Sequence, residues 1–129
     1  MKTLHIIKPD DWHLHLREGL VLKNIIHLTS EFFGRAIVMP NTKTPSTSVE
    51  SAISYKKSIV KALPESSKFE PLMTMYLTDE TDKAELINGF KKNIFFAAKL
   101  YPANATTNSS HGVKTVSYTH LTLPTIAGV

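Results

Sequence analysis

Between Asp11 and Arg17 the chain reads Asp-Trp-His-Leu-His-Leu-Arg, which sets His13, His15 and Arg17 at every second position. In an extended strand, residues i, i+2 and i+4 share one face. The two imidazoles and the guanidinium are therefore expected to project into one cavity, while Trp12, Leu14 and Leu16 pack against the opposite layer. Two neutral imidazoles converging in this way suit a divalent metal ion, and the adjacent cation suits an anionic group on a substrate. A bare His-x-His pair also occurs on ordinary exposed strands. Burying three potentially cationic groups together without a ligand or partner would cost several kcal/mol, so a function explains the spacing more simply.

Lys99 stands in the apolar run Phe95-Phe96-Ala97-Ala98-Lys99-Leu100-Tyr101. Either its ammonium snorkels to water at the strand end, or it is desolvated and loses proton affinity. The free amine could then act as a nucleophile, form a Schiff base, or take up carbon dioxide as an anionic carbamate able to bridge two cations. Asn41, after Met39-Pro40, is either a turn residue or a ligand-binding one. Residues 102–112, which include Thr106 and Thr107, are polar and aperiodic; they form a loop that covers a pocket or a plain linker.

The chain has 129 residues, 42% of them hydrophobic, enough for one small domain. It has no cysteine, so disulfides and thiolate zinc sites are excluded and a transition metal must be held by His, carboxylate or a less usual group. The net charge of +4 comes from dispersed lysines, with Arg17 and Arg35 the only arginines, and a nucleic-acid partner is not expected. No apolar run approaches the length of a bilayer span, and the start Met1-Lys2-Thr3-Leu4-His5 lacks the core of a signal peptide. The expectation is a soluble cytoplasmic protein with no membrane partner.

Strand and helix signals alternate along the chain. Strands are expected at Leu4 to Ile7, Trp12 to Leu16, Ala36 to Met39, Phe69 to Leu77 and Ile94 to Tyr101. A helix is expected from Gly19 toward Phe33, with Gly34 as a left-handed stop. A second follows a Thr47/Glu50 capping box and runs through Leu63. A third is capped within Thr78 to Asp82 and closes near Gly89. Such alternation implies a parallel α/β sheet, as a barrel or an open sheet, with functional residues gathered at the carboxyl ends of the strands.

Several motifs in order resemble the dihydroorotases of the shorter, bacterial type in the amidohydrolase superfamily. These are Asp11 to Arg17, Gly34 to Asn41, Pro71 to Thr74 with Tyr76 to Asp79, and Ala97 to Gly112. The resemblance covers roughly residues 1–113. It implies the N-terminal part of a (β/α)8 TIM-type metal-dependent hydrolase barrel, truncated here. It further implies that His13 and His15 bind one of two zinc ions and that Lys99 is N6-carboxylated and bridges them. Arg17 and Asn41 would hold the substrate carboxylate, and the Thr106-Thr107 loop would close over it. The implied reaction is reversible hydrolysis of L-dihydroorotate to N-carbamoyl-L-aspartate in pyrimidine biosynthesis, with a homodimer an open expectation at full length.

Members of that family run to more than twice this length, and their later strands supply two further histidine ligands and the catalytic aspartate. No catalytic residue is therefore assigned within this chain. Residues 114–129 resemble nothing in the family and are expected to be foreign sequence, so His120 is not a ligand. The chain alone is expected to have little or no activity. The alternatives are another cyclic-amide hydrolase of the superfamily, or a non-catalytic fragment kept for binding or assembly.

Overall fold

The structure, a computed structural model, describes residues 2–114. Along the chain β1 (Asp10–Leu14), α1 (Gly19–Phe32), β2 (Arg35–Val38), α2 (Val49–Ala62), β3 (Glu70–Leu77), α3 (Lys83–Lys91) and β4 (Phe95–Leu100) alternate without exception. The four strands form one parallel sheet in the order β1-β2-β3-β4. A doubly wound sheet reverses its strand order at a switch point, whereas a barrel adds each strand beside the last. The observed order is the second kind.

Leu16, Leu22, Ile26, Val38, Ile59, Met73, Met75 and Phe95 share one buried cluster between the sheet and the helices. Because neighbouring residues of a strand face opposite ways, Leu72, Thr74 and Tyr76 must lie on the other face, the one that is concave in a barrel. Among the described residues no helix is long and apolar enough to cross a membrane.

Three local expectations are corrected and one holds. Leu4 to Ile7 forms no strand; Leu4, Ile6 and Ile7 are exposed, and the chain joins the sheet only at Asp10, where it pairs with Arg35. The cap of α2 is Ser48 rather than Thr47, with the Ser48 and Ser51 hydroxyls each accepting from the other's backbone N–H. Thr47 is occupied one residue earlier, its N–H donating to the Pro45 carbonyl at 2.9 Å. Gly34 has no left-handed backbone: α1 ends in an extended Phe33, and the Gly34 N–H bonds to the Pro9 carbonyl at 2.8 Å. The third helix closes near Gly89 as expected, at Lys91, and a Cβ at Gly89 would collide with the Phe95 ring. That glycine is a packing requirement for seating β4 against α3.

Both edge strands carry a bulge. Asp11 pairs with Ala36 and Leu14 with Val38, so β1 uses one residue more than β2 between those points. Met73 pairs with Phe95 but Thr74 with Ala97, so β4 likewise holds an extra residue at Phe96. An extra residue turns the following side chains to the opposite face. Plain alternation would put Lys99 with Phe95 on the helix side; the bulge puts it beside Tyr76, on the concave side.

The tail expected at 114–129, with His120, lies outside the described residues except for Lys114, whose N–H donates to Asp79 Oδ2 at 2.9 Å.

Candidate functional site

The bulge in β1 sorts its side chains. Leu14 packs against the helix-side cluster and Leu16 is part of it, as expected. Trp12 does not join them: it is 56% exposed, and its ring lies against Phe96 of the opposite edge strand. His13 and His15 flank Leu14 and share the other face. Their Nε2 atoms stand 3.2 Å apart. Two zinc–nitrogen bonds of about 2.0–2.1 Å at a tetrahedral angle would separate their nitrogens by roughly 3.3–3.4 Å. The pair therefore fits two corners of one metal's coordination shell.

Burial, then the Arg17 and His13 charges, hold the His15 imidazole below its usual pKa. That keeps the ring neutral, as a metal ligand must be. Asp11 is engaged elsewhere, its Oδ1 accepting from the His13 backbone N–H at 2.9 Å. Among the described residues no group of three or more His, Cys, Asp or Glu side chains gathers around a common point.

Arg17 reaches the site by a different route from the one its spacing implied. The strand stops at Leu14, and Arg17 adopts a left-handed backbone with φ of 58°. The Tyr55 hydroxyl, donating to the Arg17 carbonyl at 2.8 Å, anchors that turn to α2. The guanidinium then donates from Nη1 to the Asn41 carbonyl at 3.4 Å.

Asn41 is 2% exposed. Its Nδ2 donates to the Thr107 carbonyl at 2.9 Å, and its own carbonyl accepts from Asn108 Nδ2 at 3.1 Å. The segment after β4 is thus a folded loop rather than a linker. A bridge between Pro102 and Val113 closes its ends. Inside, Ser109 Oγ donates to the Thr106 carbonyl and accepts from the Thr106 N–H. Thr106 and Thr107 themselves are exposed at its surface.

Lys99 is half-buried rather than sealed in the core, with Nζ 5.5 Å from the centre of the Tyr101 ring. Its charge contributes to holding down the His15 pKa. Tyr101 in turn stacks on Tyr76, whose hydroxyl donates to the Asn108 carbonyl at 3.4 Å. Among the described residues, four buried side-chain polar atoms have no hydrogen-bond partner: His15 Nδ1, Asn41 Oδ1, Thr74 Oγ1 and the Tyr101 hydroxyl. Thr74, Tyr76, Tyr101 and Asn108 were not singled out by spacing. For Thr74 and Tyr76 the available signal was two hydroxyl residues at alternate positions of one otherwise apolar strand segment.

Four parallel strands in sequence order, with His13 in the first and His15 just after it and a lysine near the end of the fourth, make this chain the N-terminal part of a (β/α)8 barrel. Over 115 residues it is 60% identical to the dihydroorotase of Cronobacter sakazakii, a match covering 89% of this chain and 33% of that protein. The dihydroorotase of Pectobacterium atrosepticum is 58% identical over 114 residues, covering 88% and 33%. Among solved structures, dihydroorotase from Campylobacter jejuni superposes with a TM-score of 0.77 at 36% identity, covering 94% of this chain and 35% of that one. The Saccharomyces cerevisiae dihydroorotase in complex with 5-fluoroorotic acid gives 0.77 at 28% identity, covering 88% and 30%. No family model matches. Over most of its length the chain is thus similar to dihydroorotases, and it spans about a third of the length of the relatives it matches.

Proposed function

We propose that residues 1–113 carry one part of a zinc-dependent dihydroorotase site, acting on L-dihydroorotate and N-carbamoyl-L-aspartate in cytoplasmic pyrimidine biosynthesis. The observation that carries this reading is the 3.2 Å approach of His13 and His15 Nε2, on the face that also holds Lys99. Zinc held there supplies Lewis acidity for polarising an amide carbonyl. In hydrolysis, water adds to the ring carbonyl carbon, the ring C–N bond breaks, and the departing nitrogen takes a proton. Arg17 and Asn41 bind the carboxylate that every form of this substrate carries. The Thr106-Thr107 loop, tied to Asn41, shields the site from bulk water.

Lys99 joins the metal site once its free amine adds to carbon dioxide, forming an N–C bond and releasing a proton. The resulting carbamate offers two anionic oxygens where the imidazoles offer no charge. Nucleic acid and membrane have no part in this chemistry.

The remaining ligands belong to the two thirds of the family's length that this chain does not span, so the chain alone has little or no turnover. The test is a chimera in which residues 1–113 replace the corresponding segment of the Cronobacter sakazakii relative. It is expected to hydrolyse dihydroorotate with zinc and bicarbonate, and to lose that activity with His13→Ala or His15→Ala. Activity that survives both substitutions would overturn the assignment, as would turnover by the 129-residue chain near that of the full-length relative.

A further inference from the structure

Arg17 is held at its backbone more firmly than at its side chain. The guanidinium's bond to the Asn41 carbonyl is long, 3.4 Å, and that oxygen is shared with Asn108 Nδ2 at 3.1 Å. One such bond does not fix a long, flexible side chain. The backbone is left-handed, with φ of 58°, a conformation that a non-glycine residue keeps only where its surroundings impose it. Two hydrogen bonds do so. The Tyr55 hydroxyl donates to the Arg17 carbonyl at 2.8 Å, and the carboxylate of the next residue, Glu18, accepts from the Lys43 N–H at 2.7 Å. Glu18 stands at the N-cap of α1, yet its side chain caps nothing there. It is committed to the connection after β2, although a cap would steady the first turn of its own helix. Tyr55 is 8% exposed and lies on the buried face of α2 with Ala52 and Ile59. The core needs only its ring, and a hydroxyl buried there is unfavourable unless it finds a partner. The partner is the carbonyl of the residue that carries the guanidinium.

We propose that Tyr55 is a positioning residue for substrate binding: from α2, its hydroxyl fixes the left-handed turn at Arg17, so that the guanidinium is presented beside Asn41 to a carboxylate. This rests on the reading that Arg17 binds the substrate carboxylate. Tyr55 acts through Arg17 alone, so it sets affinity for the substrate and leaves the bond-breaking step to the metal site. A helix residue that spacing did not single out thereby becomes part of what defines the anion subsite.

Two measurements test it. On the 129-residue chain, NMR reads the sign of the Arg17 φ from its intraresidue amide–Hα contact, which is strongest for a left-handed residue; Tyr55→Phe should weaken it. In the chimera carrying residues 1–113 in the Cronobacter sakazakii relative, Tyr55→Phe should raise KM for dihydroorotate about 3–10-fold, the loss expected for one neutral hydrogen bond, with kcat and zinc content unchanged. Arg17→Lys should raise KM as well. Adding Tyr55→Phe to it should raise KM little further, because both act through the same guanidinium. An unweakened contact or an unchanged KM in Tyr55→Phe overturns the proposal. So does a fall in kcat, or a KM effect that multiplies in full with that of Arg17→Lys, the pattern of general loosening. A wild-type Arg17 that is not left-handed overturns it even where Tyr55→Phe does not fold. Arg17→Lys with an unchanged KM would instead strike the carboxylate reading, and the Arg17 backbone in Tyr55→Phe would still decide whether the hydroxyl sets the turn.

Discussion

The rings of Trp12 and Phe96 lie 6.0 Å apart, centroid to centroid, although they belong to the two edge strands with two strands between them. Residues so placed can meet only across the concave face of a curved sheet. Each stands at the bulge of its strand, directly after a residue paired with the helix-side face, Asp11 with Ala36 and Phe95 with Met73. The contact is therefore a direct consequence of the curvature of the sheet.

Because both rings are about half exposed, their coupling belongs at the low end for aromatic pairs. A double-mutant cycle of Trp12→Leu and Phe96→Leu is expected to return about 0.5 kcal/mol in urea unfolding. Trp12 is the only tryptophan in the chain, so its emission reports the contact directly. Phe96→Leu should shift that emission to the red; an unchanged spectrum would mean that the rings do not meet.

The Ser48 cap makes a sharper distinction between neighbours. Ser48→Ala removes an acceptor for the first turn of α2 and should cost about 1 kcal/mol. Thr47→Ala, at the position that the Thr-x-x-Glu spacing favoured, should change stability by no more than a few tenths. Equal losses in chemical denaturation would return the cap to Thr47.

That one-residue displacement shows where sequence stops being informative. The three helices and four of the five expected strands were legible because their apolar residues recur at periods near 3.6 and 2, and burial enforces those periods. A bulge leaves no mark on composition, so alternation alone put Trp12 with Leu14 and would put Lys99 on the same side as Phe95. Leu4 to Ile7 has the apolarity of a strand, but strand formation also needs a paired neighbour and a buried face, and those are properties of the fold rather than of the segment. His13 and His15 were legible because the alternation holds locally on either side of Leu14. Arg17 reached the same region through a left-handed turn that its spacing could not reveal.

The Asp10–Arg35 ion pair gives a pH dependence of defined sign. Two guanidinium bonds to the carboxylate hold Asp10 below its usual pKa, chiefly through the hydrogen bond itself. A carboxylate with a lowered folded-state pKa contributes stability that is present above the unfolded value and is lost as pH falls through the folded one. The difference in Tm between wild type and Asp10→Asn should therefore be present at neutral pH and vanish under acid conditions. The pair is open to solvent, so added salt should shrink the neutral-pH difference. A difference that grows on acidification would contradict the pairing.

Ser109 is the internal staple of the loop that carries Thr106 and Thr107. The residue is 1% exposed, its hydroxyl donating to the Thr106 carbonyl at 2.6 Å and accepting from the Thr106 N–H at 2.9 Å. Ser109→Ala removes both contacts and leaves the two backbone groups to find water by opening the loop, a local cost of about 1–3 kcal/mol. The Thr106 amide should then exchange with solvent tens-fold faster or more in hydrogen-exchange NMR, while amides of β3 keep their protection. Ser109→Thr retains the hydroxyl and should recover part of that protection if the buried site admits the extra methyl. Unchanged exchange at Thr106 in the alanine variant would show that the Asn41 and Tyr76 contacts hold the loop without the staple, because those two reach it through Thr107 and Asn108 and do not depend on Ser109.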